Sequence, residues 1–206
     1  MSSRLALLAR TLVLTLALGT ASAAAATPAE SLISDNIQTG LQILNDSHLA
    51  SAERASRFET FLLGVTDLKR ISVFVLGTYG AQAPQAERDA FADAFQRYAV
   101  AVYQSYLGKY AGQTLTVTGS RQNAPGDDIV TTSLVDPASG GAPLAIEFRV
   151  RSDGPRPVIV DFSVAGVWLA PEERDQFTAF LARNGGSIPA LIQHLDALRA
   201  NLSTAG

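Results

Sequence analysis

The spacing of apolar positions changes twice along this chain. From residue 28 to about residue 110 apolar side chains recur every three or four residues. From 114 to 169 they alternate, and from 171 onward the three-four spacing returns. Those periods predict helices, then antiparallel strands, then helices again. The first helix spans residues 28–45, with Ile33, Ile37, Leu41 and Leu44 on one face. A second begins at Ser51 as its N-cap, turns Phe58, Phe61 and Leu62 inward and ends at Gly64. Thr66 or Asp67 caps a short third helix with Leu68, Ile71, Phe74 and Val75 apolar, stopped by Gly77. Pro84 opens the longest helix, residues 84–110. Phe91, Phe95, Tyr98, Val102 and Tyr106 form one row there, and Ala99, Tyr103, Leu107 and Tyr110 an adjoining one. That stripe is too wide for a narrow seam. It holds four of the five tyrosines, whose apolar bodies and polar tips suit a core edge or the lining of an apolar pocket.

Four strands follow, separated by Pro125-Gly126, by residues 137–141 and by Asp153-Gly154-Pro155. In the third, Ile146, Phe148 and Val150 alternate with Glu147, Arg149 and Arg151, so one sheet face is wet and the other covered. The fourth strand, residues 157–170, keeps Val158, Val160, Phe162 and Val164 on the covered parity and Asp161 on the wet one. It switches parity after Ala165-Gly166 to Val167 and Leu169, with the single tryptophan, Trp168, between them. A bulge or bend at the glycine accounts for the switch and curls the sheet there. Pro171 opens a helix carrying Phe177, Phe180 and Leu181, and Ser187 caps a final one with Leu191, Ile192, Leu195 and Leu198. The expected fold is α+β: a four-stranded antiparallel curled sheet with about six helices on one face.

Residues 1–26 read as a secretory signal: Arg4 and Arg10, an apolar segment, then Ala21-Ser22-Ala23 as a small-residue cleavage pattern cut near 23–26. The single domain is then 27–206, exported across the inner membrane. The net charge of −3 and pI near 5.3 leave no basic footprint for nucleic acid. Cysteine is absent, so neither a disulfide nor a lipoprotein anchor is expected. His48 and His194 lie far apart with no ligand spacing. Asp127-Asp128 reads as a turn, not a calcium loop, and neither a nucleophile elbow nor a phosphate loop is present. No metal, cofactor or catalytic residue is expected. Asp161 is the one carboxylate of interest, read as bonded to a neighbouring loop or to an arginine on the next strand.

The order of motifs resembles the MlaC family of periplasmic phospholipid-binding proteins, the auxiliary component of toluene-tolerance ABC transport systems. Residues 67–79 (DLKRISVFVLGTY), the pattern Phe91, Phe95, Tyr103, Tyr106 and Tyr110, the strand VDFSVAGVWL and the terminal RDQF and GGSIPALIQHL carry the likeness. Trp168 stands where the family usually has serine, and Arg156-Pro157-Val158 where it usually has a tryptophan. The resemblance implies a monomeric carrier that holds acyl chains of a phospholipid or similar lipid between sheet and helices. It implies transient contacts with an inner-membrane ABC transporter complex and an outer-membrane lipoprotein complex. Two chains of about sixteen carbons would cost on the order of 25 kcal/mol to expose to water, so such a carrier needs a deep apolar cavity. Matching motifs and inward parity nominate Ile71, Val75, Leu76, Phe95, Tyr98, Val102, Tyr103, Tyr106, Phe148, Val160, Phe162, Val164, Val167, Trp168 and Phe177 as its wall. Competing readings are a hopanoid-type lipid carrier, an enzyme of the cone-shaped α+β kind built on a buried Asp161 beside a tyrosine, and an adaptor whose groove binds protein.

Overall fold

A computed structural model describes residues 25–107, 111–138, 140 and 142–204, and all but the last two residues of the expected signal lie outside them. Helix α1, Pro28–Asn45, opens on a capping box: Glu30 N donates to Thr27 Oγ1 at 3.2 Å and Thr27 N to Glu30 Oε2 at 2.8 Å. Helix α2, Ser51–Val65, is entered from Ala50, so Ser51 is its first residue and not its cap. It runs through Gly64, since Thr66 N still reaches Leu62 O at 3.0 Å. Asp67 caps α3, Leu68–Val75, accepting from Arg70 N at 2.9 Å. Gly77, with φ +54, follows the Leu76 cap and stops α3 as expected, but helical structure resumes at once. A further short helix, α4, Gly77–Gln82, follows, and its sequence GTYGAQ has no apolar stripe to betray it. Helix α5 is Gln85–Leu107.

The described residues form a five-stranded sheet in the order β1-β2-β3-β4-β5, each strand antiparallel to its neighbour: β1 Thr114–Ala124, β2 Asp127–Val135, β3 Leu144–Arg151, β4 Val158–Val164 and β5 Val167–Trp168. The expected fourth strand is thus two. Ala165 (φ 50) and Gly166 (φ 83) make a two-residue hairpin turn, and both positive φ values match the turn type that follows strand twist. The parity switch is therefore a reversal of direction, not a bulge. A bulge does exist, earlier: Arg149 pairs Asp161 while Val150 pairs Ile159, leaving Val160 as the extra residue. Helices α6, Leu169–Arg183, and α7, Ile188–Thr204, complete the chain, and α6 begins two residues before Pro171.

The buried core is divided. One cluster joins α3, α5, α6 and α7 around Phe91, with Leu76, Phe177, Leu181, Leu191 and Leu195. The other joins α1 to the sheet through Ile33, Val130, Val150 and Ile159. Polar bonds tie the two parts. Asp67 N donates to Ile159 O at 3.2 Å, latching the start of α3 to β4. Arg70 grips Asp153 at 2.8 and 3.0 Å, and Arg151 binds Asp153 at 2.6 Å. Arg149 in turn holds the buried Asp127 through two bonds of 2.8 and 2.7 Å. The first two of these contacts join α3 to the sheet and the others brace the sheet itself, and the space between the clusters is where cavities form.

Candidate functional site

Two apolar chambers occupy that space. The larger, about 520 Å³, lies between α3, α5, the middle of the sheet and the first turn of α6. It is lined by Leu68 and Ile71, by Phe95, Tyr98, Ala99, Val102 and Tyr103, by Leu134, Leu144, Ile146, Val160, Phe162 and Val164, and by Leu169 and Ala170 with Asp161 and Glu173. The smaller, about 310 Å³, lies under α1 and α2, between Ile33, Ile37, Leu41, Leu44, Phe58, Phe61 and Val65 on one side and Leu115, Phe148 and Ile159 on the other. Tyr103, Ile146 and Phe162 belong to both walls, with the rings of Tyr103 and Phe162 6.1 Å apart. These three side chains are the partition. Each chamber has the volume of a small-ligand site, and its lining is overwhelmingly hydrocarbon.

Local structure explains how the walls stay open. Gly40 lets α1 approach Phe61 of α2: a Cβ there would meet the Phe61 ring at 3.4 Å. The β4 bulge lets both Ile159 and Val160 face the helices, one in each chamber, where strict alternation would present one. The larger chamber opens at the end of β4. Leu144, Val164 and Leu169 line it and are still 37–41% exposed, and these mark its mouth.

Of the fifteen nominated residues, Ile71, Phe95, Tyr98, Val102, Tyr103, Val160, Phe162 and Val164 are brought together around the larger chamber, and Phe148 lies on the smaller. Val75, Leu76 and Phe177 line neither. They are sealed in the helical core, where Phe177 meets the rings of Phe91 and Phe95 edge-on at 6.2 and 6.3 Å. Val167 and Trp168 also line neither, because the hairpin carries them onto a separate strand. Val167 is 61% exposed, and Trp168 stands opposite Ser163 on the face away from Phe162. The side chain of Tyr106 lies outside the described residues.

Asp161, expected to face water, is buried at 9% exposure. Its Oδ1 accepts from Phe162 N and Ala170 N, each at 2.9 Å, so it caps α6 from the neighbouring strand. Burial raises its pKa, against the pull of those amides and of Arg149. Glu173, one turn into α6, is likewise raised by burial. Its Oε1 takes the Tyr98 hydroxyl at 3.5 Å, while its Oε2 is buried with no protein partner. Tyr103 is raised well above its ordinary range by burial and by these two carboxylates. The carboxylate beside a tyrosine that catalysis would require is therefore present, but Asp161 is committed to holding the helix. Among the described residues no cluster fit for a metal ion occurs, and no helix is long and apolar enough to cross a membrane.

Sequence reading did not nominate Leu68, Ala99, Leu134, Leu144, Ile146, Leu169, Ala170 or Glu173 as wall residues, and gave the faces of α1 and α2 no part in a cavity. An apolar stripe at Ile33, Ile37, Leu41 and Leu44 was legible, but its partner was not. A family model described as MlaC protein matches residues 34–197. Among solved structures the chain is similar to the phospholipid-binding protein from Ralstonia solanacearum, determined in complex with a phospholipid. The identity is 20% and the TM-score 0.73, over 86% of this chain and 99% of that chain. No curated protein matches the sequence.

Proposed function

Because the chain belongs to the MlaC family, we propose that it is a non-enzymatic lipid carrier whose two chambers hold acyl chains. The observation that carries this reading is the divided core: two hydrocarbon-lined spaces meet at a partition of three side chains, and the larger opens through an apolar mouth. A soluble protein that takes a lipid from a bilayer must offer its chains nearly the environment they leave, since each exposed methylene costs about 0.8 kcal/mol. The phospholipid bound by the Ralstonia solanacearum protein of similar fold supports the same assignment. Residues 1–26 act as an export signal and 27–206 as one periplasmic domain. That domain works as a monomer between an inner-membrane ABC transporter complex and an outer-membrane lipoprotein complex.

The test is direct. Protein purified from cells and extracted with organic solvent yields phospholipid by mass spectrometry, and the delipidated protein moves labelled phospholipid between vesicles. Absence of both sinks the reading. A hopanoid in the extract would keep the carrier and change its cargo. Osmotic-shock fractionation checks the compartment, with cytoplasmic retention of the full-length chain as the contrary result.

A further inference from the structure

Both chambers are lined by hydrocarbon, so each polar atom in their walls must find its partner in the protein or in the cargo. Among the described residues the side-chain donors of these walls can be taken one by one. The Thr66 hydroxyl donates to Leu62 O at 2.7 Å, and the Tyr98 hydroxyl to Glu173 Oε1 at 3.5 Å. Asn36 Nδ2 has no partner, but it is sealed below the surface and out of a ligand's reach. That leaves the hydroxyl of Tyr103. It makes no hydrogen bond among the described residues, and unlike Asn36 Nδ2 it keeps accessible surface.

The Tyr103 ring belongs to the partition, 6.1 Å from the ring of Phe162, with a chamber on either side. Its hydroxyl is within electrostatic reach of Asp161 and Glu173, which line the larger chamber and not the smaller. Burial and those two carboxylates keep the phenol protonated, so it stands as a donor. A lipid with one chain in each chamber must straddle the partition, and its chains diverge at the glycerol. The polar atoms beside that point are the ester carbonyls, which accept hydrogen bonds and carry no charge. Asp161 and Glu173 repel a phosphate from the same spot, but not a neutral carbonyl. We propose that the Tyr103 hydroxyl anchors the glycerol ester of the cargo, donating to an acyl carbonyl oxygen where the two chains part, so that the protein selects diacyl over dialkyl-ether lipids. This rests on the carrier reading and names its cargo class. An ether lipid has nearly the same shape but no carbonyl, and it would leave the hydroxyl dehydrated and unpaired.

The mature protein, stripped of lipid, is offered vesicles holding equimolar diester and diether phosphatidylethanolamine of identical chain length, and the bound lipid is counted by native mass spectrometry. Tyr103→Phe, measured the same way, keeps the ring and removes the donor. Dividing the ester-to-ether ratio of the unaltered protein by that of the variant cancels any difference between the two lipids in the bilayer and isolates the hydroxyl–carbonyl pair. The expected quotient is about threefold or more, as one neutral hydrogen bond gives. A smaller quotient overturns the ester site and leaves the carrier standing. That outcome includes a variant that loses both lipids equally, as it would if the hydroxyl served the phosphate. Thermal unfolding of the delipidated forms is the second readout. Tyr103→Phe should melt no lower than the unaltered protein, because its hydroxyl has no protein partner to lose; a variant that melts lower or fails to fold reveals such a partner and overturns the proposal. Uptake of neither lipid by the unaltered protein refutes the carrier reading itself, and the ester site with it.

Discussion

Val102→Glu separates a cavity wall from ordinary core. Val102 lies on α5, half-buried, and lines the larger chamber beside Tyr98 and Tyr103. Glutamate is at least as good a helix former as valine, so the backbone of α5 should not object. With the chamber free of lipid, water can reach the new carboxylate. With acyl chains in place it cannot, and an unpaired buried ion costs several kcal/mol even after relaxation. Asp161 and Glu173 on the same wall add repulsion. That penalty must be set against the net drive to load, not the gross one. A chain of about sixteen carbons gains roughly 13 kcal/mol on leaving water, but the same chain gains nearly as much in a bilayer, so the balance between carrier and membrane is close to zero. A penalty of even about 3 kcal/mol then reduces loading by about 150-fold. The assay is lipid per protein after purification, with thermal unfolding of the delipidated forms measured alongside. Val102→Glu should be folded and empty, and Val102→Leu folded and loaded. A Val102→Glu protein carrying the normal complement of lipid would refute the cavity assignment, and one that cannot fold would return Val102 to the core.

Phe91→Ala should cost about 3–5 kcal/mol in urea unfolding of the delipidated protein, because Phe91 is wholly buried against Phe95 and Phe177. Phe162→Ala should cost less than half as much, since a chamber already lies on each side of its ring; equal costs would mean the partition is solid core. Asp127 is held down to about 2 by the paired Arg149, so its contribution is present above its unfolded value near 3.8 and is lost as pH falls through about 2. Allowing for the exposure of Arg149, that contribution is roughly 1–2 kcal/mol. Asp127→Asn should therefore lower stability at neutral pH and flatten the acid-unfolding curve between about pH 4 and 2, and an unchanged curve would deny the pair that role. Ala165→Gly should raise the unfolding free energy by up to about 1 kcal/mol, because alanine occupies a positive φ at the β4–β5 turn. A loss of stability would show that the alanine methyl contributes more than the strain costs.

Elements were easier to read than their partners. The three-four rows on residues 84–110 announced α5, and its tyrosines announced an amphipathic wall, because both follow from one helix alone. Whether a position on that stripe faces a void or another ring does not follow from spacing. Phe95 and Phe177 have the same signal; Phe95 lines the larger chamber while Phe177 is sealed. In β4 the bulge at Val160 carries no glycine to mark it, and the parity of Val160, Phe162 and Val164 points Asp161 to water because strand spacing says nothing of the start of α6, whose Ala170 amide covers that carboxylate. Ala165-Gly166 reads as an interruption, but turn and bulge share the glycine signal, and the pairing of Ser163 with Trp168 distinguishes them. Glu173 reads as an acid complementing a helix dipole, which hides it among Glu172 and the other charges of the first turns. The α1–α2 chamber was invisible because it belongs to neither helix until both are placed on the sheet.

The partition of Tyr103, Ile146 and Phe162 has a consequence for how such a protein diversifies. The residues that keep the helices together, around Phe91 and Leu191, are not the ones that divide the space beneath them. Capacity and scaffold are thus encoded at different addresses. Trimming three side chains would merge two berths into one, and enlarging them would wall the berths apart, with the hydrogen-bonded frame between Arg70, Asp153, Arg151 and Asp127 left in place. Cargo can drift by ordinary point substitution while the fold stays where it is.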